Sequence, residues 1–286
     1  HMPLCDAPLF SAAAFIVSPG HGGLLLKTHH IISDAWSQAL LADRFSSAYQ
    51  SLLDGQTPEL PALADYAPHV QSEQEYLESA QYAADMAYWR DKCAALPKAR
   101  AGGANPVGRR YSMPVSERVS RMITGYCQQK RLSPFAVFFM ALQVYLARVL
   151  GQESPCVGVP VVGRRTFAEK NCVGMFVGTL PFSCDIPLAA SADAFQEALL
   201  SEWYALLKHQ RAPYQRIAAL ARDMGAHGQL FSVALSYQNA RIRESADARV
   251  RFEGRWQYAG YQAQPLCVHV SDREREGRFL VDYDYL

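Results

Sequence analysis

The chain has 286 residues, of which 50% are hydrophobic, and its formal net charge at pH 7 is +1. This length and apolar content suit one large domain or two domains of ordinary size. The balanced charge gives no electrostatic argument for a nucleic-acid partner. The seven cysteines are dispersed without a C-x-x-C pair, which argues against a disulfide framework or a zinc site and favours the reducing cytoplasm.

Two apolar runs near the start of the chain predict a β-hairpin. Residues 9–18 (LFSAAAFIVS) and 23–31 (GLLLKTHHI) flank the segment PGHGG, whose proline and glycines favour a turn. After Asp34, apolar residues recur every three to four positions, which indicates an amphipathic helix. His29, His30 and Asp34 therefore lie where a strand ends and a helix begins, and they are the first candidates for a functional site.

The rest of the chain mixes helices and strands. Residues 97–110, rich in Pro, Gly and Arg, are typical of a linker. The apolar run 135–150 is too short and too polar to span a bilayer, so it predicts a buried helix and no membrane segment. We further predict helices at residues 72–96 (capped by Ser72), 116–131 and 191–209, a loop at 164–182, and strands at 155–163, 230–238, 248–260, 265–270 and 278–286. This order indicates an α/β or α+β fold in two halves, residues 1–105 and 106–286.

The adjacent histidines His29 and His30 have three possible roles. Successive side chains of a strand point to opposite faces, and no H-E-x-x-H or Cys/His pattern accompanies the pair, which argues against a metal site. Spacing alone divides the structural and the catalytic interpretation about evenly. A catalytic imidazole would act as a general base, with Asp34 orienting it or pairing with an arginine. Because no G-x-S-x-G nucleophile elbow is present, direct transfer between two bound substrates is favoured.

The segment HHIISDAWS at residues 29–37 resembles the H-H-x-x-x-D-G motif of the condensation domains of nonribosomal peptide synthetases. Six further segments resemble motifs of that family, and they occur in the same order: LADYA, VGVPVVGRR, VGMFVGTLPF, HQRAPYQRI, LFSVALSYQN and VDYDYL. Together these segments cover nearly the whole chain.

This resemblance implies two chloramphenicol-acetyltransferase-like subdomains in a V arrangement, here residues 1–105 and 106–286. It implies amide formation between a donor acyl or peptidyl thioester and an acceptor aminoacyl amine. Both substrates would arrive on phosphopantetheine arms of donor and acceptor carrier-protein domains, with no directly bound cofactor and no metal. Two alternatives to this activity remain open. The chain could be a catalytically inactive condensation-like domain that serves as a docking or scaffold element, or a free-standing acyltransferase that uses coenzyme A.

The resemblance also implies a role for individual residues. His30 would be the catalytic base or would position the amine, and His29 would support it. Asp34 would hold the loop in shape, through an ion pair with Arg164. The remaining implied residues line the substrate tunnel or its floor loop: Ala35, Trp36, Met175, Gly178, Ser236 and Gln238.

Three departures from the family pattern carry expectations. Ala35 replaces the motif glycine; alanine costs about 1 kcal/mol if the position needs a positive φ and nothing if it is the first helical residue. Gly178 replaces an asparagine, which removes the hydrogen bonds of an amide side chain. The two N-terminal motifs of the family are not found, so we expect an incomplete first subdomain whose exposed sheet edge favours self-association or a partner chain.

Overall fold

The computed structural model describes residues 2–96, 106–186, 191–238, 249, 258, 260–272 and 278–286. The chain divides into two compact units, each built from several segments. Unit 1 consists of His1–Gln74, Arg164–Val177 and Ala240–Gly254, and unit 2 of Glu75–Gly163, Gly178–Asn239 and Arg255–Leu286. The predicted subdomain boundary at residues 105 and 106 borders the undescribed segment 97–105, so that boundary and the V arrangement stay predictions.

The described residues form eight helices and eight strands. The helices are α1 Ala35–Leu53, α2 Ala67–Leu77, α3 Ala80–Ala95, α4 Glu117–Lys130, α5 Pro134–Leu150, α6 Phe167–Lys170, α7 Ala192–Lys208 and α8 Tyr214–Asp223. The strands are β1 Phe10–Ser18, β2 His21–Thr28, β3 Arg109–Pro114, β4 Val157–Val161, β5 Gly178–Phe182, β6 Val233–Gln238, β7 Leu266–Ser271 and β8 Leu280–Tyr285. The expected mixed α/β class is therefore confirmed.

In unit 1, β1 and β2 form the predicted antiparallel hairpin, whose turn contains Gly20 at φ 75°. This two-stranded sheet is exposed along almost its whole length, and Ile16 keeps 86% of its surface accessible. Strand β2 ends at Thr28, so His29 and His30 lie beyond the strand. The alternation of strand side chains therefore does not apply to the pair, and that argument against a shared metal was wrong.

In unit 2, six strands form one mixed sheet in the order β3-β8-β7-β6-β4-β5. Strand β6 is parallel to both of its neighbours, β4 and β7, whereas the other pairs are antiparallel. One face of the sheet carries the apolar core, in which Val159, Leu235 and Val270 join Phe139 of α5 and Leu199 of α7. The buried strand β4 is thus confirmed. The helix predicted at residues 135–150 is present as α5, but it is buried on one face only and exposes Tyr145 and Val149.

Two predicted elements were wrong. The helix predicted at residues 72–96 is two helices, because Ser79 breaks it and caps α3 by accepting a hydrogen bond from the Tyr82 amide at 3.2 Å. The loop predicted at 164–182 contains α6 and β5, and a capping box between Thr166 and Glu169 starts that helix. Most of the strand predicted at 248–260 lies outside the described residues.

Within the described ranges, no single helix is long and apolar enough to cross a membrane. Helices α4 and α5 pass that test of length and composition only as a pair, with a bend of 110° between them.

Gly158 lets β4 approach an aromatic ring of the core closely. A Cβ atom added at this position would lie 2.3 Å from Cε2 of Phe231. We therefore expect Gly158→Ala to lower the free energy of unfolding by about 1–3 kcal/mol, the usual cost of overpacking. Gly178→Ala on the paired strand is the control, because its Cβ would meet Val161 at 3.8 Å. Urea unfolding should show less than about 0.5 kcal/mol for the control; equal losses would contradict this account.

Candidate functional site

The carboxylate of Asp34 caps the first helix. Its Oδ1 accepts a hydrogen bond from the Ser37 amide at 2.8 Å, so the chain leaves the hairpin and enters α1 at this residue. Ala35 is the first helical residue, it is exposed, and it is not among the residues with positive φ. Of the two alternatives for Ala35, the structure therefore supports the one in which alanine causes no strain.

Asp34 and Arg164 form a buried ion pair between segments 130 residues apart. Nη2 of Arg164 lies 2.9 Å from Oδ1 and 3.2 Å from Oδ2 of Asp34. The side chains of the arginine and the aspartate are 0% and 1% exposed. The structure thus brings together two residues that the sequence had placed in one site, and their contact joins the start of α1 to residues 164–177.

The guanidinium of Arg164 has further partners, which offset the free-energy cost of burying its charge. Nη1 donates to the carbonyl oxygens of Glu169 and Cys172, the latter at 2.6 Å. The guanidinium carbon lies 4.0 Å from the ring centroid of Phe176, within cation–π range. A buried charge is tolerated when it is paired and hydrogen-bonded in this way, and the contacts shape the loop that follows α6.

Ser37 is a member of the site that the sequence analysis missed. Its hydroxyl is buried and lies 2.8 Å from Oδ1 of Asp34, 2.9 Å from Nη2 of Arg164, and 2.9 Å from the Gly174 carbonyl oxygen. The Gly174 amide donates back to Oγ of Ser37 at 3.1 Å. Its position three residues after a helix-capping aspartate was the available signal, since the N-cap side chain bonds the amide of that residue.

The electrostatics of Asp34 favour the carboxylate form. Burial on its own would raise the pKa of Asp34, but three other influences outweigh it. These are hydrogen bonds from the Ser37 amide and hydroxyl, a hydrogen bond from the Phe176 amide at 3.1 Å, and the positive charge of Arg164. The pKa of Asp34 is consequently lowered below its ordinary value.

Tyr66, from the predicted LADYA element, supports the loop of residues 173–177. Its hydroxyl donates to the Met175 carbonyl oxygen at 2.8 Å, and its ring packs edge-on against Phe176 with centroids 5.2 Å apart. A Cβ on Gly174 would lie 2.3 Å from the Tyr66 ring, so a glycine is needed for this approach. The half-buried Met175 is thus held through its backbone.

The two histidines have different surroundings. The His29 amide donates to the Leu9 carbonyl oxygen at 2.8 Å, and Nδ1 of His29 accepts from the Ile31 amide at 3.1 Å. The His30 side chain is exposed, and it makes no hydrogen bond or ion pair with the part of the chain that the structure describes. His29 is therefore bound into the local fold, whereas the imidazole of His30 is accessible.

The tunnel residues predicted from the sequence fall in both units. In unit 1, Nε1 of Trp36 donates to the Lys170 carbonyl oxygen at 2.9 Å, and the indole is 40% exposed. In unit 2, Gly178 begins β5, while Ser236 and Gln238 lie on β6. Among the described residues, no group of three or more His, Cys, Asp or Glu side chains is arranged to hold a metal ion.

Removing the cation of the buried pair should destabilise unit 1 strongly. We expect Arg164→Met to cost about 3–5 kcal/mol of unfolding free energy, because the Asp34 carboxylate is left buried without its partner. Arg165→Met is the matched control: the neighbouring arginine is partly exposed and approaches Glu169 and Glu73 at 3.6 and 3.9 Å, so we expect about 1 kcal/mol or less.

The same variant should change the acid stability. The pKa of Asp34 is lower in the folded protein than the ordinary value of 3.8 that applies to the unfolded chain. The ionised carboxylate therefore contributes fully to the stability of the fold above pH 3.8, and this stabilisation is lost as the pH falls through the folded-state pKa. In Arg164→Met this pKa rises toward or above that of the unfolded chain, so protonation of Asp34 no longer lowers the stability of the fold. The difference in unfolding free energy between Arg164→Met and Arg165→Met should therefore be largest above pH 3.8 and shrink as the pH falls below that value. Urea unfolding followed by circular dichroism at several pH values measures this difference; a difference that stays constant with pH would count against the buried pair.

Comparison with known proteins identifies relatives among peptide synthetases. Surfactin synthase subunit 1 of Bacillus subtilis is 29% identical over 292 residues, which cover 99% of this chain and 8% of that protein. Phosphinothricin tripeptide synthetase PhsB of Streptomyces viridochromogenes is 27% identical over 261 residues, covering 85% of this chain and 21% of that protein. The chain therefore spans only a small part of the curated relatives that it matches.

Solved structures show the same fold. The first condensation domain of the calcium-dependent antibiotic synthetase, in complex with substrate analogue 2a, superimposes with a TM-score of 0.82 at 23% identity. The match covers 100% of this chain and 66% of that one. The starter condensation domain of the rhizomide synthetase RzmA gives a TM-score of 0.74, also at 23% identity, and the match covers 65% of it. The family model described as "Condensation domain" matches residues 1–285, and the chain therefore belongs to the condensation domain family.

Proposed function

We propose that this chain catalyses amide formation between a donor acyl or peptidyl thioester and an acceptor aminoacyl amine. Each substrate is held on the phosphopantetheine arm of a carrier-protein domain, and His30 acts as the general base or positions the amine. The observation that carries the proposal is the buried contact of Asp34 with Arg164, which holds the junction bearing the exposed His30. The family membership supplies the reaction class.

The chemistry requires orientation and the movement of one proton. The amine nitrogen attacks the thioester carbonyl carbon, the new C–N bond forms, and the C–S bond breaks. The amine loses a proton to the imidazole of His30, and the departing thiolate takes up a proton. Because a thioester is already activated, positioning of the two substrates and a single general base account for the catalysis, without a directly bound cofactor.

The backbone around His30 is held on both sides. On the hairpin side the His29 amide bonds to Leu9, and the Ile32 amide donates to the His29 carbonyl oxygen at 3.1 Å. On the helix side, Asp34 caps α1 and is fixed by Arg164. His30 therefore presents an accessible imidazole on a constrained turn, which suits a group that must meet a substrate in one orientation.

Other residues are proposed to contact the substrates. In unit 1 these are Trp36 and Met175, which adjoin the contacts of the buried pair. In unit 2 they are Gly178, Ser236 and Gln238, on β5 and β6. We place the reaction in the cytoplasm, since the seven cysteines are all free thiols in the structure.

The proposal is tested with carrier proteins loaded with a donor and an acceptor. The wild-type chain should yield the condensed product by intact mass, and His30→Ala should lower the rate about 10²- to 10⁴-fold. The variant should fold normally because the side chain is exposed. His29→Ala is the matched control, and we expect its main effect on stability, since that ring bonds the Ile31 amide. Equal product from wild type and His30→Ala would refute the role of the imidazole.

The same experiment separates the two alternatives. Carrier binding without product for any substrate pair would favour the docking or scaffold element. Product formed from an acyl-coenzyme A and a free amine, as efficiently as from the carriers, would favour the free-standing acyltransferase.

The exposed hairpin supports the further proposal that unit 1 associates with a second copy or with a partner chain. Large apolar side chains of this two-stranded sheet are accessible to solvent, namely Phe10, Phe15, Ile16, Val17 and Leu25. Phe15 and Leu25 lie on one face of the sheet, and Phe10 and Ile16 lie on the other. Large exposed apolar side chains on a sheet favour an interaction with another surface. Light scattering should show a mass above that of one chain, and Ile16→Lys should reduce it; a monomer at every concentration would remove self-association.

A further inference from the structure

The six-stranded sheet of unit 2 has a polar face opposite its apolar core. Residues in register on neighbouring strands share a face. Ser236, His269 and Asp282 form one such row across β6, β7 and β8, and Cys267, Asp284 and Arg110 form the next. The intervening residues, such as Val268 and Val281, are buried in the core.

A chain of hydrogen bonds runs diagonally across this face. Arg110 binds the buried Asp284 with two hydrogen bonds, Nε to Oδ1 at 2.6 Å and Nη2 to Oδ2 at 2.8 Å. Nε2 of His269 lies 3.2 Å from Oδ2 of Asp284. Nε2 of Gln238 lies 3.4 Å from Nδ1 of His269 and 3.4 Å from Oγ of Ser236. These contacts lead from the buried carboxylate of Asp284 to the half-buried Ser236.

The partners assign the tautomer of His269. A carboxylate only accepts hydrogen bonds, so Nε2 of the ring carries the proton and donates to Asp284. The amide nitrogen of Gln238 only donates, so Nδ1 must offer its lone pair. The ring thus has opposite roles at its two nitrogens, and it can hold the Gln238 carboxamide only while it is neutral.

The charges around His269 are consistent with a neutral ring. Burial is the largest influence and lowers its pKa; Arg110 acts in the same direction, whereas Asp284 and Asp282 oppose it. The net result is a pKa below the ordinary value. Ser236 and Gln238, which face the ring from β6, carry no charge. At neutral pH the Nδ1 lone pair is therefore available to Gln238.

We infer that His269 is a positioning residue that orients the carboxamide of Gln238, and through it the hydroxyl of Ser236, for hydrogen bonding to the amide or thioester groups of the bound substrate. The identity of that substrate rests on the proposed function. Ser236 and Gln238 both offer groups that donate and accept, which suits a chain bearing secondary amides. His269 itself does not touch the reacting atoms in this assignment.

Two substitutions separate positioning from a purely structural role. In His269→Asn, the side-chain oxygen stands near the place of Nδ1 and still accepts from Gln238, but the donor to Asp284 is lost. In His269→Gln, the amide nitrogen stands near the place of Nε2 and still donates to Asp284, but the acceptor for Gln238 is lost. Positioning predicts damage to substrate binding in the second variant, whereas a structural role predicts damage to stability in the first.

The kinetic readout uses loaded carriers, or leucyl-N-acetylcysteamine thioester as the acceptor. His269→Gln should raise KM about three- to tenfold, with a smaller change in kcat, which corresponds to the loss of one hydrogen bond. Ser236→Ala should do the same without touching Asp284. His269→Asn should keep the wild-type KM. Because asparagine does not titrate, the rate of this variant should fall less at acidic pH than the wild-type rate does. Wild-type KM in both His269→Gln and Ser236→Ala would overturn the inference.

A second readout is independent of condensation activity. The side-chain amide signals of Gln238, assigned by Gln238→Glu, are followed by NMR while the leucyl thioester is added. We expect them to shift in the wild type and in His269→Asn, and to be displaced beforehand and unresponsive in His269→Gln. If the chain forms no condensed product but shows these NMR shifts, the inference about His269 is supported although the proposed function is refuted. Unresponsive signals in an otherwise active wild type would overturn the inference alone.

Discussion

The candidate site of unit 1 depends on one buried carboxylate. The side chain of Asp34 is buried, so its charge is tolerated only because Arg164, Ser37 and the Phe176 amide all contact it. Each of these partners also fixes a piece of backbone: the first turn of α1, the segment after β4, and the loop after α6. The requirement to satisfy one charge therefore sets the relative position of three chain segments within unit 1 and holds the turn on which His30 lies.

The sheet of unit 2 uses a related arrangement for a different purpose. Asp284 is also a buried carboxylate paired with an arginine. Its further partner is the imidazole of His269, whereas Asp34 accepts hydrogen bonds from backbone amides. An ion pair that binds amides and carbonyls shapes the backbone, as in unit 1. An ion pair that binds an imidazole orients a side chain, and in unit 2 that orientation passes on to Gln238. Both arrangements place an exposed or half-exposed polar group at the end of a rigid chain of contacts.

In each unit these contacts orient polar groups. The thioester substrate of the proposed reaction supplies its own activation. The protein's contribution is then to hold groups in place, and buried, fully satisfied polar contacts do this with little conformational freedom. The membership in the condensation domain family agrees with this account, and the carriers, the substrates and the pairing of unit 1 with another chain are open to the experiments above.

Short-range patterns in the sequence predicted the local elements, and the motifs indicated the family. The hairpin, the helix that follows Asp34, the buried strand β4 and helices α5 and α7 were predicted within a few residues, because periodicity, capping residues and turn residues act over short distances. The motifs also pointed to His30, Asp34 and Arg164. The separation of α2 from α3, the contacts of Ser37 and Gly174 with the buried pair, and the contacts of His269 with Asp284 and Gln238 became evident only in the folded chain. These depend on contacts between residues far apart in the chain, for which spacing along the sequence carries no information until the strands have their register.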